Sequence, residues 1–120
     1  MEGHRAWIAL NLEHLRHNVA ALQALLPPGC RLMPVVKANA YGHGAVPVAK
    51  KLQELGADYL AVACLEEARE LRAAGIWMPI LILGATPPDF AGDVVDLDLT
   101  QSVFTRELAQ ALSDAAGEKG

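Results

Sequence analysis

Short apolar runs of strand character alternate with longer stretches of helical spacing throughout the 120 residues, and this alternation limits the fold more than any other feature. Ala6 to Leu10 reads as a first strand. Asn11 stands where an N-cap belongs, ahead of Leu12 to Leu26, in which Leu12, Leu15, Val19, Leu22 and Leu26 recur on one face until Pro27-Pro28-Gly29 stops the helix. Leu32 to Val36 reads as a strand and Ala45 to Leu55 as a helix closed by Gly56. Tyr59 to Ala63 follows as a strand, then Leu65 to Ala74 as a helix closed by Gly75. In that helix Leu65, Ala68 and Leu71 point inward, while Glu66, Glu67, Arg69, Glu70 and Arg72 form a solvated face. Pro79 to Leu83 is another strand and Gly84 to Pro88 a turn. A short segment around Phe90 leads to a strand near Asp96 to Leu99. A last helix, Ser102 to Ala116, offers Val103, Leu108 and Leu112 to the core before a frayed polar tail from Gly117.

Strands about 20–25 residues apart with helices between them indicate βαβ units and a parallel sheet. A (β/α)8 barrel needs ~250 residues and eight such units. The pattern alone leaves two architectures, a complete small doubly wound sheet or the first half of a barrel.

Composition narrows the function classes. With 52% hydrophobic residues the chain can bury a core. A net charge of −4, with acids and bases interspersed, argues against nucleic-acid binding, which requires a basic patch with interleaved aromatics. No apolar run approaches the ~18–20 residues of a membrane span, and Asn11, Glu13, His14 and Arg16 interrupt any apolar core of a signal peptide after Met1-Glu2-Gly3-His4-Arg5. Cys30 and Cys64 form neither a redox pair nor a metal-ligand pattern. A cytoplasmic location is expected.

The chemistry concentrates in Val35-Val36-Lys37-Ala38-Asn39-Ala40-Tyr41-Gly42-His43-Gly44. A lysine ends an apolar run, and a phenol follows four residues later in a turn with two glycines. Lysine is a poor strand residue and is rarely buried without a partner. At the junction of a core strand and its loop it puts an amine at the edge of a dry pocket, where desolvation disfavours the ammonium and frees a lone pair to form a Schiff base with a carbonyl cofactor. Strand alternation groups Lys37 with Met33 and Val35, the face that points into a barrel at its C-terminal end, where parallel barrels keep their active sites. Tyr41 can hydrogen-bond a cofactor phosphate, and Gly42 and Gly44 permit φ > 0. By residue type alone, a lysine after a strand is more often a solvated side chain and a Tyr-Gly-His-Gly stretch only a βα loop. The glycine spacing is too irregular for a phosphate cradle.

Other candidates reduce to ordinary roles. His14 and His17 are three apart on a helix but lack a completing carboxylate or cysteine set, so no metal site is expected. His43 and Asn39 are expected to hold the turn by hydrogen bonding. Asp96 and Asp98 share a face of the expected strand as a solvated pair, and Trp7 and Trp77 read as packing residues.

Lys37 to Gly44 strongly resembles the pyridoxal-phosphate lysine motif of the alanine racemase family. The resemblance extends along the chain through the opening strand and helix to Leu26, Asp58 to Arg72, and Pro79 to Gly84. It implies parallel βα units forming the first half of a truncated TIM-type (β/α)8 barrel. Residues 1–120 would be the N-terminal portion of the cofactor-binding barrel domain, without the family's C-terminal β domain. It implies pyridoxal 5′-phosphate as cofactor, carried on Lys37 as an internal aldimine. Lys37 would then be the base that removes the α-proton from one enantiomer, with Tyr41 on the cofactor phosphate and Leu83 lining the pocket beside it. It further implies interconversion of L- and D-alanine, supplying D-alanine for cell-wall peptidoglycan, in a homodimer whose opposing base is a tyrosine from the partner subunit. With that base and half the barrel missing, the isolated chain is expected to be inactive. Its last strand would expose unpaired backbone, so it is expected to associate with itself or a complementary half, or to be one piece of a longer chain. A related amino-acid racemase or decarboxylase barrel is the enzymatic alternative, although decarboxylases usually lack the Tyr-Gly-His-Gly extension. A non-catalytic half-barrel assembly module is the other alternative.

Overall fold

The computed structural model describes residues 6–120. Helix α1 is Leu12–Leu25, α2 is Ala45–Glu54, α3 is Leu65–Ala73, α4 is Ala91–Asp96 and α5 is Arg106–Lys119. Strands β1 (Leu60–Val62), β2 (Ile80–Ile82) and β3 (Thr100–Gln101) form a parallel sheet in the order β1-β2-β3. Val35 adds a parallel bridge to Ala61, and the pairing Val36 N–H to Ala61 O (2.9 Å) and Ala61 N–H to Pro34 O (3.0 Å) sets a fourth strand-like segment beside β1. Sheet order therefore follows chain order. A doubly wound sheet reverses its order at a switch point; here there is no reversal, and the architecture is an open arc of a TIM-barrel-type parallel sheet.

Packing is one-sided. Leu60, Val62, Ile80 and Ile82 are fully buried on the face covered by helices, against Val48, Ala49 and Leu52 of α2 and Ala68 and Leu71 of α3. Each such side chain contributes about 1.5–3 kcal/mol of burial. The alternate face is covered at Ala61 but more open around it, with Met33 43% and Leu83 37% exposed. The slab measures 47 × 45 × 23 Å, and its radius of gyration of 16.4 Å exceeds the ~14 Å of a closed domain of this length.

Local rules explain most helix ends. The Asn11 side chain accepts from His14 N–H (3.0 Å), and the Thr105 hydroxyl accepts from Leu108 N–H (3.1 Å). Gly84 is required by proximity rather than φ, since a Cβ there would lie 2.6 Å from Ala63 O.

Several expectations are corrected. Residues 6–10 carry no strand, because no described segment pairs with them, and Trp7 is exposed rather than packed. The expected strand at 32–36 is reduced to the single Val35 bridge. The strand expected near Asp96 to Leu99 lies slightly later, at Thr100–Gln101, because buried Ala91 and Val94 carry α4 through Asp96, after which Leu97 and Asp98 form a turn, so Asp96 and Asp98 share no strand face. The last helix begins at Arg106 and runs through Lys119, leaving Val103 exposed and Gly117 helical. Trp77 is 75% exposed. Residues 1–5 lie outside the described residues.

Candidate active site

Lys37 opens a turn of unusual hand. Ala38 (φ 51°), Asn39 (56°), Ala40 (55°) and Tyr41 (56°) all occupy the left-handed region, followed by Gly42 at φ 88°. For L-residues that conformation costs roughly 1–2 kcal/mol each, so surrounding contacts must impose it. Backbone bonds close the turn: Ala40 N–H to Val36 O (2.9 Å), Gly42 N–H to Ala38 O (3.1 Å) and Gly44 N–H to Asn39 O (2.8 Å). The Asn39 carboxamide oxygen accepts from Ala45 N–H (2.8 Å) and so supplies a polar cap to α2, whose preceding Gly44 has no side chain to do so. His43 donates from Nδ1 to Ala40 O (2.9 Å). Both residues hold the turn, as their position in the sequence suggests.

The alternation expected to aim Lys37 stops short of it. Val36 has ψ 23°, outside the extended region, so the turn and not the strand's pleat sets the direction of Lys37. Lys37 is half-buried, and among the described residues it joins no ion pair, whereas Lys51 and Lys119 each meet carboxylates. Tyr41 shares the turn and is 61% exposed. Leu83 follows β2 on the open face and donates its N–H to Val62 O (2.8 Å). It lies two strands from the Lys37 segment, about 9–10 Å across the sheet. All three therefore sit at the C-terminal edge, Lys37 and Tyr41 on one loop and Leu83 on another.

An apolar cavity lies away from these three residues. A space of about 540 Å³ opens between α1 and the Pro34–Val36 edge, lined by groups such as Leu15, Val19, Val36 and Val48, and by none of Lys37, Tyr41 or Leu83. His14 and His17 are exposed on α1.

Two side chains expected on a solvated face are structural. Glu67 accepts from Ala38 N–H (2.7 Å) through one oxygen and from Ala63 N–H (2.6 Å) through the other. The available signal was its place three residues after the α3 N-cap, where a glutamate reaches back over the helix start. Nothing local marks its second reach, 29 residues back in sequence. Arg72 donates to Leu97 O (2.8 Å), Ile76 O (2.9 Å), Met78 O (2.8 Å) and Asp98 O (3.1 Å). Burial lowers its pKa below the usual guanidinium value, and the Asp98 charge opposes that shift.

A strained lysine turn at the C-terminal edge of a sheet in chain order can be compared with known proteins. The family model for alanine racemase, N-terminal domain, matches residues 10–120. This chain belongs to that family. A family relative, the alanine racemase of Desulfovibrio desulfuricans, is 51% identical over 114 residues, covering 95% of this chain and 31% of the relative. The chain thus spans about a third of the length of such relatives. The solved alanine racemase of Clostridium difficile 630 superposes with TM-score 0.88 at 43% identity, over 92% of this chain and 30% of that one. A histidine racemase from Leuconostoc mesenteroides shares the fold with TM-score 0.79 at 29% identity, over 91% of this chain and 29% of that one.

Proposed function

We propose that this chain is the N-terminal part of the cofactor-binding barrel of a pyridoxal-phosphate-dependent alanine racemase, a cytoplasmic homodimer in its complete form. The observation that carries the reading is Lys37 itself: a half-buried amine without a carboxylate partner among the described residues, on a strained turn at the C-terminal edge of a parallel sheet. The residues present suit an aldehyde cofactor bearing a phosphate, since the turn offers a primary amine and, four residues on, a phenol. Bound there, pyridoxal phosphate supplies the electron sink that makes the Cα–H of an amino acid removable.

The chain's own groups divide the remaining work. Lys37 would hold the cofactor through its amine, and that amine would serve as the base for the α-proton on one face of the amino acid. Tyr41 would donate its phenolic hydrogen to the cofactor phosphate, and Leu83 would offer an apolar wall to the cofactor. Inverting a stereocentre requires a second base on the opposite face, which a partner subunit would supply. A racemase for another amino acid is the second reading, favoured by the similarity to the histidine racemase.

The test is optical and covalent. Added pyridoxal phosphate is expected to give an absorbance band near the visible edge. Borohydride should abolish that band and fix the cofactor's mass on the Lys37 peptide, and Lys37→Ala should give neither signal. A wild-type chain without band or adduct, or a Lys37→Ala chain with both, overturns the reading.

A further inference from the structure

Glu67 bridges the two chain segments that leave the C-terminal ends of neighbouring strands, beyond the last backbone pairing between them at Val36 and Ala61. One oxygen accepts from Ala63 N–H, just beyond β1 and one residue ahead of the α3 N-cap Cys64, a reach-back over the helix start akin to a capping contact. The other accepts from Ala38 N–H, the first amide after Lys37 and the first residue of the left-handed run. Both bonds are short, and both use a carboxylate, the acceptor best suited to two amides at once. Capping alone explains the first oxygen and leaves the second unexplained.

We propose that Glu67 is a positioning residue for Lys37: by accepting from Ala38 and Ala63 together, it ties the left-handed turn to the end of β1 and fixes where the Lys37 amine stands. The proposal rests on the reading of Lys37 as the aldehyde-binding lysine. Glu67 touches neither cofactor nor substrate; it acts through the backbone that carries Lys37. An amide side chain cannot replace it, because Gln has one acceptor oxygen and its NH2 would face the second N–H donor to donor. Displacing a reacting group by about 1 Å costs up to ~10²-fold in rate.

The experiment compares wild type, Glu67→Gln and, as a control on the exposed side of the same helix, Glu70→Gln. Two measurements are made: the rate of borohydride-trapped adduct formation at Lys37 with pyridoxal phosphate, and amide hydrogen exchange resolved to residues 38–42 and to α3. Expected for Glu67→Gln is capture slowed about tenfold or more and faster exchange at Ala38 to Gly42, with the inner turns of α3 still protected. Glu70→Gln should match wild type in both. Wild-type capture by Glu67→Gln, or unchanged exchange at 38–42, overturns the proposal. If wild type itself forms no Lys37 adduct, the lysine reading fails instead, and the exchange result alone decides for or against the clamp. Should Glu67→Gln not fold, Glu67→Asp replaces it, keeping the charge but too short to reach both amides. Slowed capture with α3 protected then supports the clamp, and wild-type capture refutes it.

Discussion

The two ends of α3 hold the sheet in opposite ways. At its first turn, on the C-terminal edge of the strands, Glu67 gathers two N–H groups, one of them from a strained turn. At its last turn, on the N-terminal edge, Arg72 feeds four carbonyls that lie just before β2 and β3. Each charge has the sign that the helix dipole favours at its end. The difference lies in what is held. Arg72 satisfies carbonyls ahead of two strands, with a single left-handed residue, Asp98, among them, and serves stability, whereas Glu67 restrains a run of four left-handed residues directly after Lys37.

The largest way to break this comparison is at the arginine. Arg72→Ala leaves four carbonyls without their shared donor and should cost on the order of 2–4 kcal/mol, read as a lower urea midpoint. Lysine should recover only part of this, because a single ammonium cannot span the fork. In the fraction that remains folded, capture of pyridoxal phosphate at Lys37 should keep its wild-type rate. A slowed rate there would show the two ends of α3 to be coupled, and the division of labour would be wrong.

A smaller effect of opposite sign is expected at the other end. Ala38 is exposed and sits at φ 51°. Ala38→Gly removes the Cβ penalty of that conformation and loses some of the gain to the freer unfolded chain, for a net stabilisation of about 0.5–1 kcal/mol. A destabilised Ala38→Gly protein would mean that the turn is not left-handed in solution.

These two ends also mark what the sequence disclosed. Asn11, Gly56 and Gly75 announce helix limits by local rules, and helix boundaries at Leu12, Ala45 and Leu65 follow within a residue or so. The family motif drew attention to Lys37 and Tyr41 because its letters are contiguous. The hand of the turn was hidden, since Ala-Asn-Ala-Tyr contains no glycine and its conformation is imposed partly by Glu67 from another βα unit. Arg72 and Glu67 read as solvated helix charges for the same reason: their partners are backbone groups far away in sequence. The strand expected near Asp96 to Leu99 is displaced to Thr100–Gln101, because packing of Val94 against the core carries α4 through Asp96 and Asp98 turns the chain at φ 52°.

The smallest effect sharpens the contrast between two glutamates that both lie in a helix's first turn. Glu13 of α1 accepts from Arg16 Nε (2.8 Å) and is fully exposed, where Glu67 is half-buried on two amides. The hydrogen bond from Arg16, followed by its charge, lowers the Glu13 carboxyl below its ordinary 4.5. A carboxyl depressed on folding adds stability that is complete above the unfolded value and fades as pH falls through the folded one. Glu13→Gln and Arg16→Ala should therefore each flatten the acid side of the stability profile slightly and alter nothing near neutrality. About 1 M salt should mimic them, because it screens exposed charges to within ~3 Å. The same salt should leave amide protection at Ala38 unchanged, since the Glu67 contacts are short hydrogen bonds to backbone amides and not an ion pair of two exposed charges. Loss of that protection in salt would make Glu67 just another surface charge, and the two glutamates would be alike after all.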